Sequence, residues 1–182
     1  MLIQGVPMFA KRCTLASLFL LPVMVAGCDR LLPRASTVPT AAQADSVFRA
    51  HGIDAVISVS GNVVEVSASQ PGDQLRRGGA LWAKVGPYIY LFSPATSDLF
   101  EDYPGLAAVR ARTHLQQREI ARALLVRDTM RAGEWGQVTS LLVQALREGT
   151  VKPSRLEDLV RWGERFTTYR YDPAYVPRDS AL

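Results

Sequence analysis

Hydrophobic and polar positions change rhythm several times along this chain of 182 residues, and each change marks an element. Between Asp54 and Ser69 the two classes alternate with period two on either side of Gly61-Asn62. One face carries Ala55, Ile57, Val59, Val64, Val66 and Ala68; the other carries Asp54, Ser58, Ser60, Glu65, Ser67 and Ser69. A two-residue turn of that composition closes a β-hairpin, pairing Ser60 with Val63, Val59 with Val64 and Ile57 with Val66. Upstream, Thr40 and Gln43 have the spacing of a capping box, and Ala44, Val47 and Phe48 form the apolar stripe of a helix that Gly52 stops after His51. Downstream of the polar loop 70–79, the apolar runs Leu81–Val85 and Tyr88–Phe92 read as two further strands around Gly86-Pro87.

After Pro94 the pattern reads as helical. Ser97–Asp102 suggests a single turn, and Pro104 opens a long helix to about Arg131. A second helix covers Glu134–Glu148, with Trp135, Val138, Leu141, Leu142 and Ala145 inward. A third starts at the capping box Ser154–Glu157 and ends near Phe166. The expected fold class is therefore α+β: an N-terminal helix, an antiparallel sheet of three or four strands including the 54–69 hairpin, then three C-terminal helices packed on the sheet. The expected organisation is a leader over 1–27, a tether over 28–39, one α+β domain over 40–168, and an extended tail over 169–182 bearing tyrosines and prolines.

Composition narrows the classes. Hydrophobic residues make up 48% and charged residues 21%, which excludes a disordered chain. Two cysteines, Cys13 and Cys28, cannot build a disulfide framework, and no Cys/His spacing suits a metal. The formal charge is +4, carried mostly by arginine; Lys11, Lys84 and Lys152 are the lysines.

The first segment is the most specific. Lys11-Arg12 precedes an apolar run from Cys13 to Gly27, 15 residues and so short of the roughly 20 a spanning helix needs. It ends Val25-Ala26-Gly27-Cys28, which resembles the lipobox of bacterial lipoproteins. That resemblance covers residues 8–28 and implies thioether attachment of a diacylglyceryl group to Cys28, cleavage before it and acylation of the new amino group. It also makes Met8, rather than Met1, the more typical start. Loss of Lys11 and Arg12 would then lower the formal charge by two. Several acyl chains hold a protein stably where one does so only marginally. Asp29 resembles the signal that keeps such proteins in the inner membrane, facing the periplasm. The tether, the helix ending His51-Gly52-Ile53-Asp54-Ala55 and the hairpin are also similar to the start of the inner-ring lipoproteins of type III secretion systems, over about 40 residues. The second half departs from that family.

Candidate chemistry in the body is sparse: the chain contains no G-x-S-x-G, H-E-x-x-H, P-loop or G-x-G-x-x-G. His51 with Asp54, or His114 with a carboxylate, is the available general-base pairing, and the Ser58, Ser60, Ser67 and Ser69 face reads as solvated or glycan-binding. Asp98, Glu101 and Asp102 form a carboxylate cluster before the long helix. On that helix Arg118, Arg122, Arg127 and Arg131 would present a stripe to an anionic surface. Tyr169, Tyr171 and Tyr175 suit a partner groove, because tyrosine buries much area at little entropic cost. The reading is a membrane-anchored envelope lipoprotein acting as a non-catalytic binding, scaffold or accessory subunit of a larger complex, without cofactor, metal or nucleic acid. The alternative is an envelope hydrolase using His51 or His114.

Overall fold

The computed structural model describes residues 37–176. The leader, Cys28 and most of the tether lie outside the described residues. The elements are α1 (Ala41–Ala50), β1 (Val56–Ser60), β2 (Val63–Ser69), α2 (Gly72–Leu91), α3 (Pro94–Asp102), β3 (Ala108–Leu115), β4 (Arg118–Val126), α4 (Ala132–Glu148), α5 (Pro153–Phe166) and β5 (Thr168–Tyr171). The class is α+β, with a five-stranded sheet in sequential order. The sheet is mixed: β2 and β3 run parallel, and the other neighbours are antiparallel.

The N-terminal third follows the hydrophobic pattern. Thr40 and Gln43 close the capping box of α1, and β1 pairs with β2 in the register that Gly61-Asn62 dictates, with Gly61 at φ 59°. Val64, Val66 and Ala68 are buried on the inner face, and Glu65 and Ser67 point the other way.

Three expectations are corrected. The strand candidates 81–85 and 88–92 both lie in α2, which breaks at Gly79 (φ 55°, ψ −139°) and contains Pro87. Its second half packs on β3 and β4 on one side and on α5 on another. A helix buried all round loses the amphipathic rhythm that identifies helices, so its sequence mimics core strands. The proposed helix from Pro104 to Arg131 is instead the β3–β4 hairpin, closed by Gln116-Gln117 with Gln116 at φ 56°. Its inward positions are Val109, Ala111, Thr113, Ala121, Ala123 and Leu125, all buried. The strand set is thus five and mixed rather than three or four and antiparallel, because a parallel β2–β3 pair needs a crossover and α2 with α3 supplies it.

After β4 two helices follow, not three. α4 pairs with α5, and α5 packs on α2 rather than on the sheet. Lys152 caps α5 with Pro153 as its first residue, so Ser154 does not form the expected box. Residues 169–171, expected to begin an extended tail, join Thr168 in β5 beside β4, and Val176 beyond it is buried.

Where α2, α5 and β5 meet, a polar cluster is enclosed. The Tyr88 and Tyr171 hydroxyls lie 2.6 Å apart, Tyr171 donates to Glu164 Oε1 at 3.2 Å, and Lys84 Nζ stands 3.7 Å from the same oxygen. Burial, the largest cause for each, pushes both phenol pKa values far above the ordinary 10. The folded state therefore holds protons that the unfolded chain releases at about pH 10, and the stability these phenols contribute is lost as pH rises past that point. Urea midpoints should fall steeply above about pH 10, and less steeply in Tyr171→Phe; identical alkaline slopes would exclude Tyr171 as a source.

Candidate functional site

All helices with extensive sheet contacts act from one side, α2 on β3 and β4 and α1 on β1. Among the described residues the opposite face carries no helix, and the strand registers determine what it displays. Ser67, Arg112, Arg122 and Arg170 form one row across β2, β3, β4 and β5; Glu65, Arg110, Leu124 and Thr168 form the next. Like charges placed directly opposite on adjacent strands repel, so Arg112–Arg122–Arg170 is a destabilising arrangement unless anions balance it. Two carboxylates do so in part. Glu65 takes Arg110 Nη1 and, at 3.2 Å, Arg112 Nη2. Glu119 stands 3.6 Å from Arg122 Nε and 3.9 Å from Arg112 Nε, and that Arg112 nitrogen is buried without a hydrogen-bond acceptor. Arg170 forms no close ion pair among the described residues; its charge acts at longer range on Asp172, which Arg118 already holds. Four guanidinium groups thus face two carboxylates.

Beside this face, β5 is an edge strand of the sheet, with no further strand on it among the described residues. Tyr169 is 43% exposed there and lies 5.0 Å, centroid to centroid, from Tyr171. A groove of about 490 Å³ runs along it, lined by Arg110, Arg122, Leu124, Thr168, Tyr169 and Arg170.

The expected arginine stripe does not form. Arg122 alone of the four belongs to the open face. Arg118 makes a two-point pair with Asp172 (2.6 and 3.0 Å) beneath the Tyr175 ring, raising the guanidinium pKa and lowering that of Asp172. Arg127 turns inward to the carbonyls of Phe100, Tyr103 and Leu106. Arg131 is the N-cap of α4, its backbone N–H donating to Glu134 at 2.7 Å. The stripe failed because Arg118 and Arg122 lie on a strand whose alternation the irregularity at Ile120 interrupts, while Arg127 and Arg131 lie beyond the end of that strand. Arg110 and Arg112 belong to the same arginine-rich segment but stand outside the expected stripe, although their period-two spacing between Val109, Ala111 and Thr113 was the strand signal. Arg170 carried no such signal, since its place depends on β5 docking beside β4. Of the tyrosines, Tyr169 is exposed, Tyr171 is tied into the enclosed cluster, and Tyr175 packs on Arg118.

The histidines find partners, though not the expected ones. His51 Nε2 lies 2.7 Å from Asp98 Oδ2, joining the C-terminus of α1 to α3, whereas Asp54 lines a separate groove. His114 Nδ1 lies 3.3 Å from Ser67 Oγ in that groove of about 770 Å³, and Glu119 stands opposite it across the strands. Among the described residues no group of three His, Cys, Asp or Glu side chains is placed to hold a metal, and no helix is long and apolar enough to cross a membrane. No family model, curated protein or solved structure is similar to this chain.

Proposed function

We propose that this protein is a bacterial envelope lipoprotein, held at the inner membrane through acylated Cys28 and acting as a non-catalytic binding or accessory subunit of a larger membrane complex. The anchor rests on the sequence: a basic stretch, a short apolar run and Val25-Ala26-Gly27-Cys28. The binding role rests on one observation, the open β5 edge with Tyr169 exposed above a groove. A free edge offers unpaired backbone groups to an added strand, and an aromatic side chain beside it supplies the pocket contact that such pairing uses for specificity. Tyr169 stands on a firm mount, since Tyr171 beneath it is hydrogen-bonded to Tyr88 and Glu164.

The decisive experiment has two parts. Intact-mass analysis should show an acylated chain beginning at Cys28, and Cys28→Ser should leave the membrane fraction almost entirely. A photocrosslinker at position 169 should then capture one recurrent envelope protein, which Tyr169→Ala or a proline in β5 would release. An unmodified Cys28 would end the anchoring claim; crosslinks scattered over unrelated proteins would end the binding claim.

A hydrolase reading keeps one supporting observation, the 2.7 Å contact between His51 and Asp98. For it to stand, His51→Gln would have to abolish a measured hydrolysis.

A further inference from the structure

We propose that the helix-free face of the sheet is a docking surface for anionic phospholipid headgroups, those of the bilayer in which the chain is anchored. This rests on the anchored reading above and adds the orientation of the domain. Three properties of the face select that occupant. Its charge is unbalanced, with Arg110, Arg112, Arg122 and Arg170 against Glu65 and Glu119. The opposed guanidinium groups of Arg112, Arg122 and Arg170 would be relieved by phosphates, which guanidinium binds through paired N–H donors. The two arginine rows themselves hold polar, charged and aliphatic side chains, while the aromatic groups of His114 and Tyr169 stand at the borders of the face. Tight protein partners are usually gripped by buried aromatic anchors, whereas a layer of headgroups requires only dispersed positive charge.

Chain length supplies a further argument. Eight residues lie between Cys28 and Thr37, and even fully extended this stretch reaches only about 30 Å. Thr37 accepts a hydrogen bond from Gly105, just ahead of β3, and Ala107 in turn bonds Asn62 of the first hairpin. The tether therefore enters at the end of the sheet where Arg110 stands two residues into β3. An anchor at that distance keeps the local concentration of headgroups high, so modest contacts suffice for occupancy.

The acylated full chain is reconstituted into vesicles of phosphatidylcholine alone and of phosphatidylcholine with phosphatidylglycerol. Both preparations, with native membranes beside them, are treated with an arginine-selective dicarbonyl reagent, and modification is read by mass spectrometry. Arg122 and Arg170 should be modified about fivefold more slowly in the phosphatidylglycerol vesicles, with Arg147 and Arg161 on the helices unchanged. Salt near 1 M, where the screening length is about 3 Å, should remove the protection. Equal modification in the two vesicle types overturns the proposal. So does protection confined to native membranes, which would assign the face to a protein. Intact mass of the same samples reports the anchor separately: an unacylated Cys28 defeats that reading, while co-sedimentation of the unacylated chain with each vesicle type still tests the face.

Discussion

Replacing Gly163 with alanine is expected to lower the stability of the fold by about 3 kcal/mol, a large fraction of the 5–15 kcal/mol typical of a domain. Gly163 is buried in α5, and a methyl group there would sit closer than 3.0 Å to three ring carbons of Tyr88 on α2. The ring cannot swing away, because it is wholly buried, stacks on Phe92 and is hydrogen-bonded through its hydroxyl to Tyr171. The helices must separate instead, which opens the enclosed cluster of Tyr88, Tyr171 and Glu164. Alanine is intrinsically the better helix former by about 1 kcal/mol, so the steric cost must exceed that gain to show. Gly136 in α4 is the matched control, since nothing lies within 4 Å of a methyl group there. Gly136→Ala should raise stability by up to about 1 kcal/mol, opposite in sign. Urea unfolding of both variants decides the matter, and a neutral Gly163→Ala would mean that α5 does not seat against Tyr88. Shortening the ring in a Tyr88→Leu background should remove most of the penalty.

Arg127→Ala is expected to cost about 3 kcal/mol through a different mechanism. The guanidinium donates to the carbonyl oxygens of Phe100, Tyr103 and Leu106 and lies 5.0 Å from the centre of the Phe100 ring. It thus collects three acceptors at the C-terminal end of α3, where the helix field also favours a cation. Removing it strands the Phe100 and Leu106 carbonyls and leaves Tyr103 only the Leu106 N–H, and water reaches them only by loosening the connection between α3 and β3. Lysine retains the charge but cannot fork to three oxygens, so Arg127→Lys should recover less than half of the loss. A midpoint shift in urea worth under 1 kcal/mol for the alanine variant would show that solvent replaces the guanidinium freely.

How much of this was legible follows the range of the signals involved. The first helix and hairpin depend on contacts between near neighbours, and Thr40, Gln43, Gly61 and Asn62 encode them. The β3–β4 hairpin was hidden by its chemistry. Gln116-Gln117 is not a recognisable turn pair, and arginines four apart resemble a helical face even though Val109, Ala111 and Thr113 alternate with arginines. α2 was hidden by burial, since Trp82, Val85, Tyr88 and Phe92 face neighbours on more than one side. The arginine row was the least legible feature, because it exists only when strands separated by a crossover are set side by side. Cys28 and its flanks are read without any fold at all, and of the tail tyrosines Tyr169 is the one left exposed.

The parallel pairing of β2 with β3 has a kinetic consequence. The strands are joined only after residues 70–107 have folded back across them. Loop closure of that length precedes any reward from the pairing, so assembly should be slow relative to helical proteins of the same size. A chain crossing a membrane N-terminus first would hold the early hairpin with one raw margin until β3 emerged. During that interval a holding chaperone, or simple dilution, would decide the yield of native molecules.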